Sequence, residues 1–244
     1  LQSNDMGKKY VTDDSGAIRR INTNNEEISL AFSGHEFGDG GFQILKTLKK
    51  HKIKASFFLT GDFLRNKKFK KLIMNIIEDG HYIGPHSDKH LLYNDWTSNK
   101  KRLVSKKDFF NDINSNIKEI QNFGIDRNSI KYFMPPFQWN DNYITQWASQ
   151  IKLKTINFST GTKSNADYTT PEMHNYISSK EILKSIINYE KEKNLNGFIL
   201  FSHIGSDEKR HDKFYLYLDE LIIYLKKKGY SFKSIQNHLK INDF

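Results

Sequence analysis

From Ile28 onward, short runs rich in β-branched and aromatic residues alternate with longer stretches of helical period. This alternation restricts the chain to very few architectures. The β-rich runs are 28–32, 54–59, 82–84, 131–134, 153–158, 197–202 and 230–232, and the stretches 42–51, 66–79, 106–123, 141–150, 180–193 and 212–228 read as helices. The segment 66–79 is the clearest helix, because Phe69, Leu72, Ile73, Ile76 and Ile77 recur on one face and Gly80 follows as a stop. Such alternation implies a parallel sheet with right-handed crossovers. About seven strands exceed a minimal doubly wound half and approach a barrel. A chain of 244 residues suits one domain. We expect an N-terminal arm over 1–27, with a turn at 13–16, and a single α/β domain over 28–244. In parallel α/β folds the chemistry sits on loops after the carboxyl ends of strands.

Composition removes several function classes. With no cysteine, thiolate metal sites, disulfides and a Cys nucleophile are excluded. No apolar run approaches the ~20 residues of a membrane-spanning helix. Lys plus Arg is 38 and Asp plus Glu is 28, a net charge of +10. The lysines cluster on expected helices, as at Lys46, Lys49, Lys50 and Lys52, and read as solvated faces. No zinc finger, recognition helix or aromatic RNA-binding strand accompanies them, so no nucleic-acid partner is expected. The alternative reading of the charge is attraction to an anionic polymer.

Four polar clusters fall at the ends of different expected strands. After 28–32 comes Ser33-Gly34-His35-Glu36-Phe37-Gly38-Asp39-Gly40-Gly41. Asp39 can cap the helix that begins near Phe42 or bind a metal. After 82–84 comes His86-Ser87-Asp88-Lys89-His90, two imidazoles that meet one ion if the segment is helical or tightly turned. After 131–134 comes Pro135-Pro136-Phe137-Gln138-Trp139, and after 197–201 comes Ser202-His203. Each cluster alone has a structural reading: exposed loop histidines, a packed turn, a satisfied strand-end histidine. Four in this order do not.

In that order the clusters resemble the polysaccharide deacetylase family (carbohydrate esterase family 4, the NodB-homology domain), over roughly residues 27–235. His86-Ser87-Asp88-Lys89-His90 matches its His-Ser/Thr-x-x-His motif, and Lys54-Ala55-Ser56-Phe57-Phe58-Leu59-Thr60-Gly61 is similar to its second strand. Phe133-Met134-Pro135-Pro136-Phe137 resembles the Arg-x-Pro motif and Leu200-Phe201-Ser202-His203 the last motif, while Asn165-Ala166-Asp167-Tyr168 is a faint match to the Asp-Trp motif that tunes the final histidine. The resemblance implies a deformed (β/α) barrel of about seven parallel strands and a metal-dependent hydrolase that removes N- or O-linked acetyl groups from a polysaccharide. It implies His86 and His90 as metal ligands, the Phe137 amide as oxyanion donor and His203 as general acid. It also implies a divalent ion, zinc first, and, with Leu1 in place of an initiator Met, a secreted, periplasmic or cell-surface bacterial protein.

Two departures bear on the chemistry. The family's Thr-Phe-Asp-Asp-Gly reads Ala31-Phe32-Ser33-Gly34-His35 here, and its arginine reads Met134. The losses are mutually consistent, since an arginine buried without its carboxylate is an uncompensated charge. Glu36 and Asp39 lie close by as replacement carboxylates. Asp39 is assigned to the metal and Glu36 to the base, with the exchange of the two open and His35 as a further ligand. Trp139, Tyr93 and Trp96 are candidates to stack on sugar rings. The rival reading is a catalytically inactive carbohydrate-binding member of the same fold.

Overall fold

The computed structural model describes residues 9–239. Leu1, the beginning of the expected arm and the last five residues of the expected domain lie outside the described residues. The chain runs β1 (Tyr10–Thr12), β2 (Ile18–Ile21), β3 (Glu27–Gly34), α1 (Gly41–His51), β4 (Ser56–Leu59), α2 (Gly61–Arg65), α3 (Lys70–Glu78), β5 (Tyr82–Pro85) and α4 (Lys106–Gln121). It continues through β6 (Tyr132–Phe133), α5 (Asn142–Gln150), β7 (Lys154–Thr155), α6 (Ser179–Lys193), β8 (Phe198–His203), α7 (Leu218–Lys227), β9 (Ser231–Phe232) and α8 (Ile235–Leu239).

The strands from β3 to β9 pair in parallel, in the order β8-β3-β4-β5 with β9 also on β3 and with β6 beside β7. The Met134 amide donates to the Pro85 carbonyl, joining β6 to β5. The remaining gap, between β7 and β8, is filled by the antiparallel hairpin β1–β2. Arg20 of β2 pairs with Phe198, and Ile18 bridges Ile156. The sheet is therefore mixed. The segment read from sequence as an arm supplies two of its strands, with Ala17, Ile18 and Ile21 buried. Only three or four residues per strand left too little alternation for the sequence to register them.

Alternate residues divide the core as period-two geometry requires. On β3, Ile28, Leu30 and Phe32 pack outward against the helices, beside Ile44, Leu48, Leu72 and Ile76. Ala31, with Phe58, Tyr82, Met134, Ile156, Ile199 and Phe201, fills the barrel, and Ile235 and Leu239 of α8 plug it. Helix 66–79 is confirmed from Lys70, after a 3₁₀ turn at Lys67–Phe69. The expected helix 212–228 starts with a 3₁₀ turn, Phe214–Tyr217. α2 was not expected; Thr60 caps it by accepting the Phe63 amide hydrogen.

Gly197 enters β8 with φ +70°, and a Cβ there lies 1.9 Å from the Ile21 carbonyl oxygen. Gly197→Ala should therefore destabilise the fold by about 2–4 kcal/mol, left-handed backbone cost plus overpacking. Gly124 has φ +87° but open space around it, so Gly124→Ala should cost only the backbone share of about 1–2 kcal/mol. Equal urea midpoints for the two variants would contradict closure of the barrel by the hairpin.

Candidate functional site

The carboxyl ends of β3, β5, β6 and β8 meet around one cavity of about 510 Å³, lined by His35, Glu36, His86, His90, Phe137 and His203 among others. The His86–His90 segment is tightly turned, not helical: Ser87 and His90 have φ of +69° and +55°. That strain is held by side chains behind it. Asp112 of α4 accepts the amide hydrogens of Asp88 and Lys89, and Asn116 accepts the His86 amide hydrogen while donating to the Leu59 carbonyl. Arg65 grips both oxygens of Asp88, at 2.7 and 3.0 Å. Sequence reasoning missed these supports. Their signal was present: Asp112 and Asn116 are polar residues one turn apart on the apolar face formed by Phe109, Ile113, Ile117 and Ile120.

The Nδ1–H of His86 donates to the Met134 carbonyl at 2.7 Å, which leaves Nε2 as the ring's free lone pair. The His90 ring lies 5.1 Å from His86 and stacks on His35 at 4.5 Å, with 9° between their planes. His35 Nδ1 also bonds the Thr60 hydroxyl. Burial, then the neighbouring imidazoles, pushes His90 down to about 2. Burial pushes His86 down to about 3 against the pull of its Met134 bond, and His35 is lowered as well. The floor of the cavity is thus a set of neutral imidazoles.

His203 rises from the end of β8. Its Nδ1 lies 2.6 Å from one oxygen of Asp167, and its amide donates to the other at 2.8 Å. The faint Asn165-Ala166-Asp167-Tyr168 match therefore falls beside the histidine, on a 3₁₀ turn over Ser164–Tyr168. Orientation by a buried carboxylate turns Nε2 of His203 away from Asp167. Phe137 and Gln138 also have positive φ, +60° and +53°, and the Phe137 ring covers His90 at 4.5 Å.

Glu36 lines the cavity from an exposed loop position. Asp39 does not line it. Its carboxylate accepts from the Ser206 amide and the Tyr215 hydroxyl and pairs with Lys213 at 3.1 Å. Asp39, expected from the sequence as a metal ligand, is thus held by three partners against the 205–215 segment. It makes no side-chain cap on α1 either. Tyr93 is fully buried against Phe109 and Phe133 and cannot stack on a sugar, whereas Trp96 lines the cavity. Met134, which stands where the resembled motif has an arginine, fills the barrel interior.

A metal requires donors that are unprotonated and convergent. His86 and His90 fit as two such donors, neutral and adjacent, with the His86 ring fixed through its outer nitrogen. Among the described residues no group of three His, Cys, Asp or Glu side chains is arranged to hold an ion. The near-parallel planes of His35 and His90 keep their in-plane lone pairs from meeting at one point.

Acid stability tests the neutral burial of these rings. His81, also lowered mainly by burial, sits at about 4. Between these lowered values and the ordinary 6.5, the unfolded chain binds protons that the folded chain does not. The contribution is therefore complete above pH 6.5 and is lost as pH falls, at about 1.4 kcal/mol per pH unit per group. Urea midpoints should drop steadily from pH 7 to pH 5, and a flat profile would contradict neutral burial.

Comparison with known proteins places the chain in a family. The family described as polysaccharide deacetylase matches residues 20–156. Peptidoglycan-N-acetylmuramic acid deacetylase PdaA of Bacillus subtilis is 26% identical over 237 residues, covering 97% of this chain and 78% of PdaA. The PdaA structure superposes with a TM-score of 0.68 at 25% identity, covering 93% of this chain and 86% of that one. A family 4 carbohydrate esterase (CE4) pseudoenzyme from Bacillus anthracis has a TM-score of 0.72 at 20% identity, covering 91% and 68%; at that identity the likeness concerns fold alone. By sequence match and by architecture, this chain belongs to the polysaccharide deacetylase family.

Proposed function

We propose that this protein hydrolyses acetyl groups from an N-acetylated glycan of the bacterial cell-wall type. The observation that carries the reading is the single cavity shared by the neutral His86–His90 pair and the carboxylate-paired His203. The glycan class is supported by the named activity of PdaA, and action on such a polymer would place the protein outside the cytoplasmic membrane.

The acetyl carbonyl lies over the imidazole floor, with the sugar against Phe137. Glu36, at the lip, takes a proton from the attacking water. As the water oxygen bonds to the carbonyl carbon, the amide hydrogen of Phe137 faces the developing oxyanion. In its imidazolium form His203, whose Nδ1–H is held by Asp167, gives its Nε2 proton to the sugar nitrogen as the carbon–nitrogen bond breaks; acetate leaves, and the proton taken by Glu36 returns to His203 through solvent. His86 and His90 would hold a divalent cation, for which zinc suits imidazole donors. Such an ion supplies Lewis-acid polarisation of the acetyl oxygen and a more acidic water.

One observation favours the inactive, carbohydrate-binding alternative. A Cβ at Gly34, the family's second carboxylate position, meets Ile204, Leu59 and Phe63 all at 3.0 Å, so that position is closed to an acidic side chain without repacking. Acetate release from peptidoglycan and chitin oligomers separates the readings. Under the enzymatic reading, His203→Ala lowers kcat by about 10²–10⁴-fold with KM little changed, and Asp167→Asn follows it through the wrong tautomer. Full activity in His203→Ala would overturn the acid role; no acetate from the unchanged protein would favour the binding alternative.

A further inference from the structure

We infer that Arg210 is a positioning residue for His203, acting through the turn that carries Asp167. The inference deepens the reading above and rests on it only for the effect on turnover. Arg210 is fully buried, and an arginine is almost never taken out of water unless its fork meets partners. Here those partners are neutral. Nη1 donates to the Thr169 carbonyl at 2.7 Å and to the Thr169 hydroxyl at 3.3 Å. Nη2 donates to the Ile177 carbonyl at 3.0 Å and to the Ser179 hydroxyl at 3.1 Å. The Asp212 carboxylate lies 3.9 Å away, beyond hydrogen-bond reach. Among the described residues Nε has no partner. An apolar side chain of similar volume would fill the same space without that desolvation, so stability alone does not explain the arginine.

What the fork joins is the irregular segment between the Asp167 turn and α6. Residues 171–175 are exposed, so the middle of that segment has no core packing to fix its path. Its two ends are fixed by Arg210. Thr169 closes the 3₁₀ turn Ser164–Tyr168: its amide and its hydroxyl both donate to the Ala166 carbonyl, at 3.0 and 2.7 Å. The same hydroxyl accepts the Ile177 amide hydrogen. Asp167 lies inside the turn so closed, and its two oxygens meet Nδ1 and the amide of His203. At the far end, Ser179 donates its hydroxyl to the Asp212 carbonyl at 2.9 Å and its amide to the Asp212 carboxylate. Arg210 belongs to the segment that follows His203, so both halves of the histidine–carboxylate pair are anchored to one stretch of chain. A carboxylate displaced by about 1 Å no longer directs its histidine, and a misplacement of that size costs about 10²-fold in rate.

The test follows the Nδ1 proton of His203 by nuclear magnetic resonance in protein with isotopically labelled histidines. The unchanged chain is compared with Arg210→Gln and Thr169→Val, and with Asp167→Asn as the reference for a broken pair; circular dichroism and urea midpoints report folding. In the unchanged protein that proton should resonate downfield and exchange slowly. Arg210→Gln should lose both properties while remaining folded. Thr169→Val, which removes only the hydroxyl link, should speed the exchange about tenfold. A lowered urea midpoint with an unchanged His203 signal would mark a merely structural role and overturn the inference. Where Arg210→Gln does not fold, Thr169→Val decides, and an unchanged signal there overturns it. Acetate release is scored separately. Arg210→Gln should lower kcat by about 10²-fold with KM within about twofold, and a loss carried by KM would contradict positioning. No acetate from the unchanged protein would remove the deacetylase reading and leave the resonance to decide the role of Arg210.

Discussion

The hydrogen bond from His86 Nδ1 to the Met134 carbonyl is the contact on which the candidate site depends. It crosses from the end of β5 to the end of β6, beside the backbone bond from the Met134 amide to Pro85. It fixes one tautomer of a buried imidazole, and burial keeps the ring neutral. The strained turn that follows exists only because Asp112, Asn116 and Arg65 satisfy its backbone and its central carboxylate. Left-handed residues of this kind persist where the surroundings over-determine them. Here they place His90 beside His86 and under Phe137.

Around that fixed pair, the first loop of the site departs from the motif it resembles at Ser33 and Gly34 together with Met134. Ser33 and Gly34 carry no charge, the space at Gly34 is taken by Ile204, Leu59 and Phe63, and Met134 contributes its backbone to His86 and its side chain to the barrel core. Loss of the carboxylates and loss of the arginine belong together because either alone would leave a buried charge without a partner. The acidic residue nearest in sequence to replace them, Asp39, instead ties α1's approach to the 205–215 segment through Ser206, Lys213 and Tyr215. From this loop Ser33, His35, Glu36 and Phe37 line the cavity, so its one carboxylate there is the exposed Glu36.

Much of the fold was legible because buried parallel strands and amphipathic helices write strong, distinct periods into the sequence. Helix 66–79 and the strand ending at His203 illustrate this. The hairpin β1–β2 was not legible: its strands are short, half-buried and polar on one side. In the site, His86 and His90 stood out because two histidines four residues apart follow directly on a short buried strand. Asp167 was readable only faintly, since a single carboxylate on an irregular turn acquires meaning when the barrel brings it to His203, 36 residues away. Asp39 was ambiguous because a glycine-flanked aspartate looks the same whether it faces a cavity or pairs with groups behind it. Only Lys213 and Tyr215, far along the chain, decide between those outcomes.

The most direct test of the account is a calorimetric titration of zinc at pH 7 into the protein and into His86→Ala and Asp39→Asn. The account predicts one bound ion per chain, lost in His86→Ala and retained in Asp39→Asn. No bound ion, or an ion indifferent to His86 and lost with Asp39, would contradict it.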